Sequence, residues 1–388
     1  MTAADDYDVA VIGGGVTGCA TALHLARGGM RAVVVERRGL CMEASGVNAG
    51  SLCLQIKPLA LMPYALGAME MWRTTGKWLG NEVGFQAKGS LMLAFSDDDA
   101  ELLETRIGER RRAGAPIEIL GPDAARRLEP ALSRRPVLAS HCPIDGFADP
   151  TQIGHAYGAA LAEAGVDTRL GLAVDAIDRD GGAFTVAMGE DRLRARRIVL
   201  AGGVWLGEMA RWFGLDLPVL CRPYQLLISE RVPRLFDMFI GLASARLSLK
   251  QLSGGGVLIG GGWEGIGDHK RGSIGVLPAP LVGNLRLAHH AISAIAGLRL
   301  IRTWVGLEVE FADARPVIGA LPGVEGVFIN GGTRSGFTMA PYMGRLLAER
   351  MLGREAELPL FNPARLLRND PPGKEQGPDS ASGRPPVH

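Results

Sequence analysis

Six residues near the N-terminus, Gly13-Gly14-Gly15-Val16-Thr17-Gly18, constrain this chain more than any other stretch. They follow residues 7–12, a β-branched run that reads as a buried parallel strand. From Val16 to about Gly28 the pattern reads as a helix closed by Gly28-Gly29, and residues 31–36 read as a second strand. Strand, turn, helix and strand in that order make a βαβ unit with a right-handed crossover. In such a GxGxxG turn the first glycine allows the tight bend and the second lets the backbone approach a pyrophosphate. The third lets helix and strand pack closely. The helix N-terminus then turns free N–H groups and positive potential toward the anion. Glu36 ends the second strand, where a carboxylate accepts hydrogen bonds from ribose hydroxyls. Motif, strand, helix and acid in register predict dinucleotide binding; the alternative is a glycine-rich turn with a surface Glu. A second GxGxxG, at residues 260–265, follows a strand-like run, but no helix and no acid-tipped strand come after it. It is expected to be a sheet edge or a turn, so the chain binds one dinucleotide.

A length of 388 residues allows one or two domains. Apolar residues at 47% against 21% charged exclude disorder as a whole-chain class. The 42 basic and 41 acidic residues leave a net charge of +1, without the basic excess of a nucleic-acid scaffold. Basic clusters at 110–112, 134–135 and 194–197 read as solvated faces. Cys19, Cys41, Cys53, Cys142 and Cys221 contain no CxxC pair. A disulfide framework, a zinc site or an iron–sulfur site is therefore not expected, and a reducing cytoplasm fits. The N-terminus lacks the basic n-region of a signal peptide. The uncharged run 9–26 is long enough to consider as a membrane helix, but its glycines split it into strand, turn and helix, so no span is expected.

Further along, residues 62–79, 98–114, 151–164, 281–296 and 340–352 read as helices. Residues 89–95, 172–179, 183–188, 197–201, 225–229, 247–251, 257–260 and 326–330 read as strands. The buried runs at 197–201 and 326–330 each lead into paired glycines, Gly202-Gly203 and Gly331-Gly332, which makes the nucleotide domain discontinuous. From Asn369 on, Pro, Gly, Ser and charge predict a disordered tail.

Residues 43–50, a loop of mostly small residues, can line a pyrophosphate and a flavin from the side opposite the glycine turn. With the GGGVTG turn and Glu36, the segments ASGVNAGSL (44–52), GFADP (146–150), VLAGGVW (199–205), ARPVIG (314–319) and GTRSGFTMAPYMGRLLAE (332–349) resemble one family. It is the FAD-dependent amino-acid oxidoreductases of the D-amino acid oxidase type, which include glycine and sarcosine oxidases. NAGSLCLQIK (48–57) and LSLKQLSGGGVLIGGG (247–262) are similar to flavin subunits of opine and D-hydroxyproline dehydrogenases.

The resemblance implies an α/β fold, with a discontinuous Rossmann-like FAD domain and a second, mixed-sheet α+β substrate domain. The expected boundaries are 1–78, 141–221 and 304–368 for FAD, 79–140 and 222–303 for substrate, and 369–388 for the tail. It implies oxidation of the C–N bond of an amino acid to an imine that water hydrolyses. The partners implied are a small amino-acid substrate and either further subunits or copies of the same chain. Covalent flavin attachment in the family uses particular His or Cys residues. His24 has no matching context, and Cys41 and Cys53 read as buried thiols, so the FAD is expected to be non-covalent.

For the cofactor the resemblance assigns Gly13, Gly14, Gly15, Val16, Thr17, Gly18, Glu36 and Arg37, then Ser45, Asn48, Ala49, Gly50, Ser51 and Leu52. It adds Val174, Gly202, Gly203 and Trp205, and Gly332, Ser335, Gly336, Phe337, Thr338 and Met339. Residues 335–339 lead into the last helix, whose N-terminus can face the anionic edge of a reduced flavin, worth about 0.3–2 kcal/mol; the alternative is an ordinary capped helix. Arg334 matches an arginine that grips the substrate carboxylate in glycine-oxidase-like members, a task suited to the guanidinium fork. The alternative is a surface or structural arginine.

Trp304-Val305-Gly306-Leu307-Glu308 departs from a family stretch that usually ends in Arg. Glu308 either faces a cationic substrate group or braces Arg334 or Arg315. The departure argues against simple glycine or sarcosine specificity, and an opine or another basic N-substituted amino acid would use the acid well. Lys250 ends a strand that runs under the flavin in relatives. It either promotes oxygen reduction or hydrogen-bonds the ring, or it is a solvated strand end. The reading is an enzyme oxidising a secondary or N-substituted amino acid. Its rival is a dehydrogenase subunit passing electrons to a partner. A flavin-bearing RNA-modification module and a non-catalytic nucleotide-binding scaffold are remote alternatives.

Overall fold

The computed structural model describes residues 6–332 and 336–369. A six-stranded sheet runs in the order Val317–Ala320, Val327–Gly331, Ile198–Leu200, Val9–Ile12, Ala32–Glu36 and Asp167–Leu170. Its pairs are parallel except at the edge strand Val317–Ala320, which is antiparallel. Successive side chains of a strand point to opposite faces, and here both faces are covered. Val9, Val11 and Val34 pack against the helices Val16–Arg27, Pro150–Glu163 and Gly336–Met351. Ala10, Ile12, Val33 and Val35 pack against a four-stranded sheet of Asp6–Tyr7, Asp191–Ala195, Ala183–Met188 and Ala176–Asp180. Double burial explains why these central strands are continuous apolar runs.

A second sheet has eight strands, in the order Leu300–Glu310, Leu220–Arg231, Gly256–Glu264, Ser248–Gln251, Phe239–Leu242, Ser90–Ala94, Leu138–Cys142 and Glu118–Leu120. Only Phe239–Leu242 and Ser90–Ala94 pair in parallel. Leu91, Leu93, Ile240, Leu249, Val257 and Ile259 pack under the helix Pro278–Ala291. By alternation, Met92 and Ser248 take the opposite face and line a cavity shared with the first sheet. The boundaries expected after residues 140, 221 and 303 each fall inside a strand of this second sheet.

Other elements differ from the sequence pattern for local reasons. The helix expected over 62–79 breaks at Thr74 into Met62–Arg73 and Thr75–Trp78, where the Thr74 hydroxyl donates back to the Glu70 carbonyl. The last helix starts at Gly336, before Ala340. The Trp72 indole donates to the Thr338 carbonyl at 2.7 Å and the Thr338 hydroxyl to the Ser51 carbonyl at 3.0 Å, long-range bonds that no local period reveals. Residues 260–264 of the second GxGxxG form the end of the strand Gly256–Glu264: Gly260 pairs with Ser248, and Trp263 and Glu264 pair on the other side alone, with Gln225 and Tyr224, so the stretch is strand rather than turn. Arg368–Asn369 pairs with Leu215–Asp216, so the expected tail begins in a strand, and its remainder lies outside the described residues. Among the described residues no helix is long and apolar enough to cross a membrane, and no group of three or more His, Cys, Asp or Glu could hold a metal.

Candidate active site

A cavity of about 940 Å³ joins the two sheets. Its near end is built from backbone. Gly13 has φ +113, and a Cβ there would meet the Ala201 carbonyl oxygen at 2.5 Å. At Gly18 a Cβ would run into the Gly13 carbonyl. Gly15 is the N-cap of Val16–Arg27 and offers no side-chain cap. The Val16 N–H is met instead by Ser45 Oγ at 3.0 Å. The Gly14 and Arg38 N–H groups donate to the two Glu36 carboxylate oxygens at 2.8 and 2.9 Å, which fixes the plane of the carboxylate.

Asn48 folds the facing loop: its Nδ2 donates to the Ala44 and Ser45 carbonyls, and its Oδ1 accepts from the Gly50 N–H. Arg37 lies 3.7 Å over the Trp205 ring and pairs with Glu43 at 2.9 Å. Gly13, Gly15, Val16, Thr17, Glu36, Arg37, Ser45, Asn48, Ala49, Ser51, Val174, Gly202, Gly203, Trp205, Gly332, Gly336 and Phe337 all line the cavity. Gly14, Gly18, Gly50, Leu52, Thr338 and Met339 stand behind this wall rather than in it. Arg334 and Ser335 lie outside the described residues.

The far end is built from side chains of the second sheet and its surroundings. Glu308 lines the cavity from Leu300–Glu310 and is half-buried. Lys250 is not a solvated strand end: it is 0% exposed, with Nζ donating to Ser51 Oγ at 2.6 Å and to the Ala49 carbonyl. It supports the cavity-lining loop from behind, and burial pulls its ammonium down to about 7. Further residues escaped the sequence reading. Lys57 is fully buried, which lowers it to about 8 against the opposing pull of Cys53, Glu308 and Asp145. Its only signal was a lone cation after the run 52–56.

Arg106 and Arg110 line the cavity, although 98–114 reads as a charged surface helix and 110–112 as a solvated face. Arg110 is half-buried because its helix packs on the second sheet. Beneath Lys57, Asp145 accepts from the Leu54 N–H at 2.8 Å and the Ser90 hydroxyl at 2.7 Å. Burial nevertheless holds the Asp145 carboxyl above its ordinary value. Gln55, which lines the cavity, donates to Ser90 Oγ at 2.7 Å.

An elongated cavity with a glycine-walled, anion-ready end and a charged, side-chain-built end suits a dinucleotide cofactor meeting a small charged substrate. Residues 8–350 match the family of FAD dependent oxidoreductases (DAO). The chain belongs to this family. Membership makes it an FAD-dependent oxidoreductase.

An opine oxidase subunit of Rhizobium meliloti is 26% identical over 91% of this chain and 95% of its own length. Glycine oxidase of Geobacillus kaustophilus is 27% identical over 91% and 95%. The crystal structure of the Geobacillus kaustophilus glycine oxidase superposes with a TM-score of 0.84 at 25% identity, covering 92% of this chain and 97% of that one. L-proline dehydrogenase from P. horikoshii shares the fold, with a TM-score of 0.86 at 23% identity over 94% and 98%.

Proposed function

We propose that the chain oxidises the C–N bond of a secondary or N-substituted amino acid, with FAD held non-covalently along the cavity. The observation that carries this reading is the continuity of one cavity from Gly13 and Glu36 to Glu308. Gly15 and the N-terminus of Val16–Arg27 would hold the pyrophosphate, since the helix end turns positive potential toward an anion. Glu36 would take the ribose, and Ser45, Asn48 and Ala49 would hold the cofactor from the opposite side. His24, Cys41 and Cys53, the residues weighed for covalent attachment, do not line the cavity, which supports a non-covalent flavin.

The flavin supplies the two-electron acceptor for a hydride from the carbon bearing the amine. Arg334 is assigned the substrate carboxylate, and Glu308 faces a cationic substrate group. The product imine is hydrolysed by water. Lys250 holds the Ala49–Ser51 backbone against the cofactor instead of touching substrate.

The test is an anaerobic screen of amino acids, N-alkyl amino acids and opines, read by bleaching of the flavin absorbance. Bleaching by N-substituted compounds in preference to primary amino acids supports the reading. Bleaching by primary amino acids alone removes it. A second reading, a chain that passes electrons to a partner, draws support from relatives that are themselves named as subunits, of an opine oxidase and of a sarcosine oxidase. Slow reoxidation of the reduced flavin by air, with fast reoxidation by an artificial acceptor, would favour it.

A further inference from the structure

Arg106 and Arg110 stand one turn apart on the helix Asp97–Arg112, and both reach the cavity wall beside Ile56, Pro58 and Met92. Arg106 Nη1 donates to the Ala243 carbonyl at 2.7 Å. Arg110 donates through Nη2 to the Lys57 carbonyl at 2.9 Å and through Nη1 to the Arg106 carbonyl at 3.1 Å. Bonds to neutral carbonyls fix the two guanidinium groups without neutralising them. Of the other arginines lining the cavity, Arg37 is paired with Glu43 at 2.9 Å and Arg246 donates to the Gly262 carbonyl at 3.0 Å. Among the described residues neither Arg106 nor Arg110 has a carboxylate within 4.0 Å. The Nε–H of Arg110 is buried and has no acceptor among them. Two like charges one turn apart repel, and a buried donor without an acceptor costs stability. A bound anion would relieve the repulsion.

We propose that Arg106 and Arg110 bind a second anionic group of the substrate, a carboxylate carried at the end remote from the oxidised C–N bond. The substrate class is then an N-carboxyalkyl amino acid. The inference rests on the proposed C–N oxidation and narrows it. The guanidinium fork pairs both oxygens of a carboxylate at once. Glu308 lines the cavity from a different element, Leu300–Glu310, so a cationic substrate group and a second carboxylate have separate contacts.

The experiment compares N-(2-carboxyethyl)glycine with N-propylglycine, which differ in the terminal group alone. The readouts are kcat/KM, anaerobic flavin reduction, and the Kd of each compound from the shift it causes in the flavin spectrum. Wild type should prefer the carboxylate compound by about 10- to 100-fold. Arg110→Gln and Arg106→Gln should each reduce that ratio by about 10-fold or more, while Arg110→Lys keeps part of it. FAD content and Tm show whether each variant is folded. Equal handling of both compounds by wild type, or an undiminished ratio in both glutamine variants, overturns the assignment and leaves the C–N reading standing. Bleaching by neither compound removes the C–N reading for N-substituted glycines, and this assignment with it.

Discussion

The two ends of the cavity are made in opposite ways. The glycine end is a contiguous backbone device: φ +113 at Gly13 and the closed space at Gly18 leave no room for a side chain. The far end gathers Lys57, Arg106, Arg110, Lys250 and Glu308 from segments far apart in sequence. Steric rules govern the first and charge governs the second. The largest effects are therefore expected where a side chain collides with backbone.

Gly18→Val and Gly15→Val should separate folding from cofactor binding. A branched side chain at Gly18 drives into the Gly13 carbonyl and should abolish both the fold and the flavin. At Gly15 φ is −72, and a Cβ would meet nothing nearer than Ser45 Oγ at 3.2 Å, so the fold should survive. The added methyls project into the space assigned to the pyrophosphate, and FAD should be lost. Far-ultraviolet circular dichroism together with the 450 nm absorbance of the purified variants decides it. A yellow Gly15→Val with full FAD content would place the cofactor elsewhere.

This contrast also explains what could be read from the sequence. The strands 9–12, 32–36 and 198–200 announce themselves as apolar runs because they are covered on both faces. The glycine turn is legible because its physics is local. Leu300–Glu310 carried a period-2 signal in Val305, Leu307 and Val309, all buried, and went unread as a strand. The division expected after residue 303 therefore cuts it. Arg106 and Arg110 were unreadable for a different reason. Their helix has a charged sequence, and only its placement against the second sheet turns two of its arginines into a cavity wall. Lys57 and Lys250 look like any exposed lysine until the strands around them close.

At the far end, Glu308→Gln should separate substrates by charge. If Glu308 meets a cationic group, kcat/KM for a basic substrate should fall by about 10- to 100-fold, with a neutral one spared. If it braces Arg334, both should fall alike. Arg334→Met should weaken both substrates, and unchanged kcat/KM on both would remove this arginine from the site. A smaller effect is expected back at the near end. Glu36→Gln keeps the side-chain shape but loses the charge and one of two acceptors for the Gly14 and Arg38 amides. The Kd for FAD, measured by flavin fluorescence on reconstitution, should rise about 10-fold. An unchanged Kd would leave Glu36 as a brace for the turn alone.

The smallest effect concerns pH, and it distinguishes the ends most cleanly because the glycine turn carries no titrating side chain. Burial lowers Lys250 from an ordinary 10.5 to about 7 in the folded protein. Between those values the unfolded chain binds more protons than the folded one, so stability rises with pH across that window. Below about pH 7 both states are protonated, and the fold carries a buried ammonium in full. Above about 10.5 both are neutral and the penalty is gone. Lys57, lowered to about 8, acts in the same direction over a narrower window. Lys250→Met removes the titration but strips Ala49 and Ser51 of a donor, a cost that does not depend on pH. The level of its Tm is therefore uninformative, and the slope is the test. The Tm of the variant minus that of wild type should be highest near pH 6.5 and fall by a few degrees toward pH 10. A flat difference would mean that Lys250 stays charged throughout. The Ala49 carbonyl, the Ser51 hydroxyl and the Phe239 ring at 5.2 Å would then be enough to hold an ammonium in the interior.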